Sequence, residues 1–190
     1  EAPDMGGIDL RVFRTEENLG AGAARNRAIE ESAEPILAFL DADDEWLADK
    51  LERSLAEIAG TRRVLVAHDG WIHDGDEVTP NECARRFREA GDPYVNLYRK
   101  GYIDTCSVVV RRDAALGAGG FDETLPNAQD FDLWLAMLRS PETKFEVFDE
   151  TLSRYYITAG SIMSHIERRR RCCLEIALRY APDLKCHPGM

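Results

Sequence analysis

The sequence predicts one α/β domain, and three observations support this fold class. Short apolar segments alternate with amphipathic segments along the chain, as in sheets whose strands are joined by helices. A cluster of carboxylates directly follows one apolar segment, as it does where a ligand binds at the carboxyl end of a strand. No repeat, linker or low-complexity segment divides the 190 residues. We expect a single domain over residues 1–190, with a mixed, mainly parallel sheet flanked by helices.

The first half of the chain alternates between predicted strands and helices. Ile8, Leu10 and Val12 follow the two-residue repeat of a strand, which we expect to belong to a parallel sheet. Leu47, Leu51, Leu55 and Ile58 give the segment after the acidic cluster the apolar stripe of a helix. We predict strands at 8–13, 36–40 and 62–67, and helices at 21–33 and 47–59.

The second half of the chain predicts further strands and helices. Ser107 opens a β-branched run that is typical of a strand, and Asp74-Gly75 is typical of a tight turn. We predict strands from 68 to this turn and at 107–110, 144–148 and 152–157. We predict helices near 81–90, at 128–139 and over 162–180 of a carboxyl-terminal tail at 162–190, with an irregular stretch after 90.

The composition indicates a protein that folds without disulfides and does not bind nucleic acid. The net charge of −11 disfavours nucleic acid as a partner. The five cysteines form no Cys-x-x-Cys pair and no zinc-ligand spacing, so reduced thiols in a cytoplasmic compartment account for them most simply. No apolar run approaches the ~20 residues that a membrane-spanning helix needs. We therefore expect a cytoplasmic protein.

The most informative stretch is Phe-Leu-Asp-Ala-Asp-Asp-Glu-Trp at 39–46. Carboxylates this close together repel one another unless a cation or a donor-rich ligand neutralises them. Asp41 and Asp43 share one face of an extended segment. They therefore indicate a hard divalent ion that carries phosphate oxygens. The alternative is a solvated acidic turn, which is common after a strand.

Three further motifs accompany this acidic cluster. They are Asn-x-Gly-x-x-x-Ala-Arg-Asn at 18–26, Gly-Gly-Phe-Asp-Glu at 119–123 and Gln-Asp-Phe-Asp-Leu-Trp-Leu at 129–135. Together with Asp-x-Asp at 41–43, the set resembles the family 2 glycosyltransferases of the GT-A fold, which is Rossmann-like. Each motif is weak alone, but all four occur in the family's order and at plausible spacings.

The resemblance implies a donor site for a nucleotide sugar. In the family, the residues that match Asp41 and Asp43 hold Mn²⁺ or Mg²⁺ against the diphosphate. The residues that match Asn18, Gly20 and Arg25 lie beside the nucleotide, where small residues let the backbone approach and the helix start favours anions. The alternative for Arg25 is a solvated position on a helix that packs on the sheet.

The resemblance also implies an acceptor side. In the family, the residue that matches Asp130 is the general base that takes a proton from the acceptor hydroxyl. Gln129 stands where the family often has a glutamate, so one carboxylate is lost. Asp122 belongs to a loop that lies near the acceptor and the donor sugar. The alternatives are a helix-capping role for Asp130 and a simple diglycine turn before Asp122.

Two segments leave alternatives open. The family often carries a metal-binding histidine where this sequence has Thr158, so the metal is held either by Asp43 with phosphate and water or with help from His165. Arg168-Arg169-Arg170-Arg171 is a basic block in an acidic chain. It either covers a solvated helix face or contacts a lipid-phosphate acceptor or an anionic membrane surface.

We therefore expect an inverting glycosyltransferase that acts in cell-envelope polysaccharide biosynthesis. It would transfer a sugar from a nucleotide diphosphate donor, a UDP-sugar, to a hydroxyl of a glycan or of a lipid-linked acceptor. We expect it in the cytoplasm, with possible peripheral contact at the inner face of the membrane. The sequence leaves the oligomeric state, the sugar and the linkage open.

Only seventeen residues precede Asn18, whereas the resembled family has a nucleotide-binding half before this motif. We therefore expect a fragment that lacks amino-terminal strands and, alone, lacks efficient transferase activity. One alternative function is a catalytically incomplete domain that acts as a binding or assembly module. Another is a sugar nucleotidyltransferase, which would need a basic Gly-rich phosphate loop that the sequence does not show.

Overall fold

A computed structural model describes residues 8–158 and 165–187. Seven α-helices form in this part of the chain. They are α1 (Gly20–Glu31), α2 (Lys50–Ile58), α3 (Cys83–Phe87), α4 (Pro93–Lys100), α5 (Arg112–Gly117), α6 (Gln129–Leu138) and α7 (Ile166–Tyr180). Short 3₁₀ turns cover Thr105–Ser107 and Ala181–Cys186.

The described strands form one six-stranded sheet. They are β1 (Ile36–Ala38), β2 (Glu45–Trp46), β3 (Arg63–Asp74), β4 (Glu77–Asn81), β5 (Val109–Arg111) and β6 (Lys144–Tyr156). The order across the sheet is β1-β5-β3-β6-β2, and β4 pairs with the far end of β3. The long strands β3 and β6 run side by side in parallel, from the pair Arg63–Lys144 to the pair His73–Tyr156.

The sheet is mixed, but the expected predominance of parallel pairing is wrong for the strands that the structure describes. Only β3 and β6 are parallel there, and the other four pairings are antiparallel. The reason is local connectivity. β4 returns from β3 through the tight turn at Gly75, which has a φ of 58°, and β5 runs against both β1 and β3.

The predicted strand at 8–13 is also wrong, because this segment is irregular and exposed. Alternation produces a strand only where a neighbouring strand takes up the backbone hydrogen bonds, and no described strand pairs with this segment. Two predicted breaks are absent as well. The predicted strands at 62–67 and from 68 to the turn form the single strand β3, and those at 144–148 and 152–157 form the single strand β6. The pairing of β3 with β6 shifts register between Arg63 and Leu65 and around Asp69.

The stretch after residue 90 forms a helix instead of the irregular segment that we predicted. Asp92 begins α4, and its carboxylate accepts hydrogen bonds from the backbone N–H groups of Tyr94 and Val95 at 2.8 and 3.2 Å. Pro93 occupies the first helical turn, and Gly101 ends the helix with a φ of 52°. This is the usual pattern of an Asp cap, an early Pro and a terminal Gly.

An aromatic cluster in the core holds three of the sequence motifs together. Phe39 lies just before the acidic cluster, Phe121 in the diglycine loop and Trp134 on α6. Their ring centroids lie 5.4 to 6.2 Å apart, and all three side chains are buried. Trp134 is therefore a core residue. The cluster fixes the ends of the segments that carry the candidate site.

Among the residues that the structure describes, no helix is both long enough and apolar enough to cross a bilayer.

Candidate functional site

A cleft of about 730 Å³ lies where the motif segments meet. Its wall includes Arg25 from α1, Asp41 from the acidic cluster, and Gln129 and Asp130 from the start of α6. Ile72 and Tyr155, a cross-strand pair of β3 and β6, line it from the sheet. Residues from α4 and α7 complete the wall. Four of the predicted site residues thus lie in one cavity.

Arg25 and Asp41 form the central ion pair of this cleft. Nη2 of Arg25 donates to both carboxylate oxygens of Asp41, at 2.5 and 2.8 Å. The guanidinium carbon also lies 5.4 Å from the centroid of the Phe121 ring. The Arg25 side chain is 16% exposed, so solvent screens this pair less than a surface pair. The arginine is therefore held toward the acidic cluster.

Asp43 and Asp44 have different surroundings. Asp43 is exposed, and its Oδ2 accepts a hydrogen bond from Oγ1 of Thr158 at 3.1 Å. Asp44 is partly buried, and its carboxylate accepts from the backbone N–H of Tyr156 at 3.1 Å. Burial raises the pKa of Asp44 to about 6, although the Tyr156 hydrogen bond acts in the opposite direction. Thr158 therefore contacts the acidic cluster at the position where the resembled family has histidine.

Asp130 lies in the first turn of α6 and points into the cleft. Its Oδ2 accepts a hydrogen bond from Oγ1 of Thr105 at 2.8 Å, and its Oδ1 accepts from the backbone N–H of Phe131 at 2.8 Å. These two hydrogen bonds hold the carboxylate in place at the start of the helix. Each oxygen keeps a second lone pair. The carboxylate is therefore oriented and still able to accept a proton.

Asp104 is a further carboxyl group that lines the cleft, and it was not among the residues predicted from the sequence. Burial raises its pKa to about 6, and the negative charge of Asp130 adds to this rise. Nδ2 of Asn81 donates to Oδ2 of Asp104, and Arg86 donates to Oδ1 of Asn81 at 3.4 Å. The sequence pattern that could have identified Asp104 is the polar pair Asp104-Thr105, which lies shortly before the predicted strand at 107–110.

Asn26, the last residue of the first motif, holds the diglycine loop. Its Oδ1 accepts from the backbone N–H of Phe121, and its Nδ2 donates to the Phe121 carbonyl, both at 2.8 Å. Nδ2 also donates to the Glu123 carboxylate at 2.8 Å. A Cβ at Gly120, where φ is 73°, would lie 2.7 Å from the Asn26 side-chain oxygen. The two motifs are therefore one structural unit.

Asp122 does not line the cleft. Its carboxylate accepts from Thr124 and from Nη1 of Arg179, the latter at 2.8 Å. The same arginine nitrogen donates to the buried Asp132 at 2.8 Å, so Asp132 has a structural role. The acceptor-side role of Asp122 stays a prediction. In the structure this residue joins the diglycine loop to α7.

Gln129 lies in the cleft wall but is mostly buried. Its Nε2 donates to the carbonyl of Leu125 at 2.7 Å. A carboxylate could not make this hydrogen bond, because a carboxylate has no proton to donate. A Cβ at Gly22 would touch Cγ of Gln129 at 3.4 Å, so α1 packs closely on this side chain. The amide thus has its own structural partner.

Asn18 and Gly20 begin α1 but do not line the cleft. Oδ1 of Asn18 accepts from the backbone N–H of Gly20 at 3.0 Å, and Gly20 has a φ of 88°. The turn therefore requires glycine, and Ala21, the next residue, lines the cleft. His165 is exposed at the start of α7. The structure brings Thr158, and not His165, to Asp43.

The oxygen atoms of this site fit a hard divalent ion only in part. No group of three His, Cys, Asp or Glu residues that could hold a metal occurs within 8–158 and 165–187. The exposed Asp43 carboxylate and the Thr158 hydroxyl are hard donors that lie together. Mg²⁺ is often bound by one or two carboxylates plus phosphates and water. The site therefore fits an ion that arrives with a diphosphate, with Asp43 as the protein carboxylate.

The chain is similar in sequence to known glycosyltransferases. The model for "Glycosyl transferase family 2" matches residues 2–116. The amylovoran biosynthesis glycosyltransferase AmsB of Erwinia amylovora is 30% identical over 161 residues, covering 80% of this chain and 52% of that protein. The putative teichuronic acid biosynthesis glycosyltransferase TuaG of Bacillus subtilis is also 30% identical over 161 residues, covering 82% and 60%.

A solved structure supports the same fold. S. aureus TarS 1-349 in complex with UDP-GlcNAc superimposes with a TM-score of 0.71 at 19% identity, over 95% of this chain and 51% of that one. This likeness confirms the predicted GT-A fold. The chain thus spans about half the length of the proteins that it matches. Because the family model covers more than half of its residues, the chain belongs to glycosyl transferase family 2.

Proposed function

We propose that this chain is the catalytic region of an inverting glycosyltransferase that uses a nucleotide diphosphate sugar. The observation that carries the proposal is that the Arg25–Asp41 pair and Asp130 line one cleft. The bound UDP-GlcNAc of TarS supports a UDP-sugar as the donor. The names of AmsB and TuaG support a role in polysaccharide biosynthesis. The acceptor would be a hydroxyl of a glycan or of a lipid-linked sugar.

The acidic end of the cleft would bind the donor diphosphate. Arg25 supplies a fixed guanidinium, which suits phosphate oxygens. Asp43, with Asp41 close by in sequence, would hold Mn²⁺ or Mg²⁺, while Asn18 and Gly20 shape the start of α1 beside the nucleotide. When bound, the ion stabilises negative charge on the leaving diphosphate. Asp41 as a direct metal ligand stays a prediction, because both its oxygens accept from Arg25.

Asp130 would act as the general base. Its carboxylate takes the proton of the acceptor hydroxyl as that oxygen forms a bond to the anomeric carbon. The bond from this carbon to the diphosphate oxygen breaks, and the nucleoside diphosphate leaves with the bonding electron pair. A single displacement inverts the anomeric centre. Thr105 and the Phe131 N–H each hold one oxygen of Asp130, and the second lone pair of each oxygen would face the substrate.

Asp104 would assist on the acceptor side. With a pKa raised to about 6, chiefly by burial, part of its population carries a proton near neutral pH. The protonated group is a hydrogen-bond donor, whereas Asp130 acts only as an acceptor. The two carboxyl groups would therefore contact different atoms of the acceptor sugar. Asp122 and Gln129 would shape this side through the diglycine loop and the start of α6.

We place this activity in the cytoplasm, at the inner face of the membrane. The five cysteines all lie in the described part of the chain as free thiols, which supports a reducing compartment. Peripheral contact with the membrane would bring the cleft to a lipid-linked acceptor. The oligomeric state stays open.

Titration of the chain with UDP, with and without Mn²⁺, tests this proposal. We expect UDP to bind, and to bind more tightly with Mn²⁺, because phosphate oxygens complete the metal shell. Absence of UDP binding in both conditions would support the alternative of an assembly module. The replacement of the family's usual glutamate by Gln129 favours that alternative. A nucleotidyltransferase would instead bind a nucleoside triphosphate in preference to UDP.

A further inference from the structure

The outward face of α7 combines exposed apolar side chains with arginines. Ile166, Leu174 and Leu178 are 63, 62 and 69% exposed. Steps of four residues keep side chains on one side of a helix, so these three share a face with Arg170. Arg171 lies at the edge of the same face. We refer to these five residues as the outward face of α7.

The opposite side of α7 is fixed to the protein. Cys172, Ile176 and Tyr180 are buried in the core. The hydroxyl of Tyr98, on α4, donates to the Ala177 carbonyl at 2.8 Å. The helix therefore has a defined orientation, and its exposed leucines point away from this core. A single exposed leucine is ordinary, but a row of them between arginines is typical of a helix that lies in a membrane interface.

The charge of α7 is opposite to that of the whole chain. The helix carries five arginines and two glutamates, whereas the chain has a net charge of −11. Glu167 pairs with Arg170 at 3.2 Å, but both side chains are more than 70% exposed, so this pair is weak. Arg179 pairs with Asp122, Asp132 and Glu175, but the exposed side chains of Arg170 and Arg171 present positive charge to an anionic surface. A chain with this net charge would otherwise be repelled from such a surface.

The outward face is continuous with the mouth of the cleft. Leu174 is exposed and also lines the cleft, together with Arg169 on the same helix. Arg99 and Lys100, at the end of α4, line the same rim and are exposed. A surface that contacts α7 would therefore lie beside the opening that leads to Asp130. Cations and apolar side chains together suit lipid headgroups and the acyl boundary beneath them.

We propose that the outward face of α7 docks on an anionic lipid bilayer and so holds the cleft at the membrane surface. The inference rests on the proposed function, because it gives the acceptor of that function a lipid-linked form. α7 has 15 residues and a length of about 22 Å, so it lies in the plane of the interface. The leucines enter the headgroup region, and the arginines contact lipid phosphates.

Vesicle sedimentation tests this docking surface directly. The intact 190-residue chain is mixed with phosphatidylcholine vesicles that contain or lack phosphatidylglycerol. We expect binding only to the anionic vesicles, and less binding at high salt. The double variant Arg170→Glu/Arg171→Glu should lower the partition coefficient by more than about tenfold. The double variant Leu174→Ser/Leu178→Ser should lower it by about tenfold.

Matched control variants carry the same changes on other surfaces. Leu51→Ser/Leu55→Ser changes two leucines with the same spacing on α2, which are 44 and 43% exposed. Arg62→Glu/Lys144→Glu makes the same change of charge at exposed positions outside the cleft wall. Both control variants should bind the anionic vesicles like the unchanged chain. Circular dichroism checks that every variant keeps its helical content.

Several outcomes would overturn the proposal. They are failure of the unchanged chain to bind anionic vesicles, equal binding to neutral vesicles, or equal loss in the control variants. Unchanged binding by both outward-face variants would also overturn it. A parallel UDP titration separates this inference from the proposed function. Vesicle binding without UDP binding would refute the proposed transferase function and support the membrane-docking role of the outward face of α7. UDP binding without vesicle binding would refute the membrane-docking role alone.

Discussion

The guanidinium of Arg25 donates through Nη2 to both oxygens of the Asp41 carboxylate, at 2.5 and 2.8 Å. The two residues lie 16 positions apart, and each belongs to a different sequence motif. The pair neutralises one carboxylate of the acidic cluster before any ligand binds. Because Asp41 is paired with Arg25, Asp43 is the carboxylate that remains for a metal ion. Phosphate oxygens would compete with Asp41 for the Arg25 guanidinium.

Arg25→Gln should weaken UDP binding and strengthen metal binding in the absence of nucleotide. Loss of the guanidinium removes a charge-assisted contact to phosphate, for which we expect about a tenfold loss of UDP affinity. The freed Asp41 carboxylate becomes a second ligand for Mn²⁺. Titration calorimetry measures both affinities. The control is Arg27→Gln on the same helix, which removes an exposed ion pair with Glu31 and should change neither value.

Asp43→Ala should abolish the part of the UDP affinity that depends on Mn²⁺. Asp43 is the exposed carboxylate that lies against the Thr158 hydroxyl, and it has no arginine partner comparable with Arg25 among the contacts that the structure describes. Glu45→Ala is the matched control, because Glu45 belongs to the same cluster but pairs with Arg154 at 2.9 Å. Equal UDP affinity with and without Mn²⁺ in the unchanged chain would remove the metal role.

Gly120→Ala should destabilise the fold by about 2–4 kcal/mol, because the new Cβ would require a strained backbone and displace the Asn26 side chain. Its φ is 73°, and the Cβ would lie 2.7 Å from Oδ1 of Asn26. Gly117→Ala is the control, since nothing lies within 4 Å of a Cβ there. Urea unfolding compares the two variants. Equal stability of both would mean that Asn26 does not hold the loop.

Lys50→Met should stabilise the fold, and more at neutral than at alkaline pH. Lys50 is fully buried, its Nζ lies 4.2 Å from the Trp46 ring centroid, and burial lowers its pKa from 10.5 to about 7. Between these values the unfolded chain binds more protons than the folded chain, so stability rises with pH over this window. The charged form costs the folded state on the order of 3–5 kcal/mol below pH 7.

Urea unfolding at pH 7 and at pH 9.5 measures this effect as a difference between the two proteins. The unchanged chain should gain several kcal/mol relative to Lys50→Met as the pH rises. Other groups titrate equally in both proteins and cancel in the comparison. Parallel pH dependences would show that Lys50 keeps its proton inside the fold.

The sequence predicted helices α1, α2 and α6 more closely than it predicted the sheet, whereas it missed α4 and α5. Caps and apolar stripes are local, so α1, α2 and α6 appeared within a few residues of their observed bounds. The strand at 8–13 was wrong because a strand depends on a partner that no local pattern specifies. Asp104 was not predicted for a similar reason. Asn81, which donates to its carboxylate, and Asp130, which helps raise its pKa, are distant from it in sequence.

The contact between Thr158 and Asp43 shows the same limit. The two residues are 115 positions apart, and the antiparallel pairing of β2 with β6 brings them together. The family resemblance indicated the position of Thr158 but left its role open. Asp41 and Asp130 both line the cleft, and each lies near the end of an element with a clear local pattern. Their roles in the site stay predictions.

The most direct test of the central claim is the turnover of Asp130→Asn in the full-length enzyme, measured as UDP release from a UDP-sugar donor. The amide is nearly isosteric but does not take up a proton, so kcat should fall by roughly 10²–10⁴ while UDP affinity stays unchanged. The control Asp132→Asn changes a buried structural aspartate and should keep its turnover in the folded protein. Turnover of Asp130→Asn close to that of the unchanged enzyme would contradict the account, because Asp130 would then only orient the start of α6.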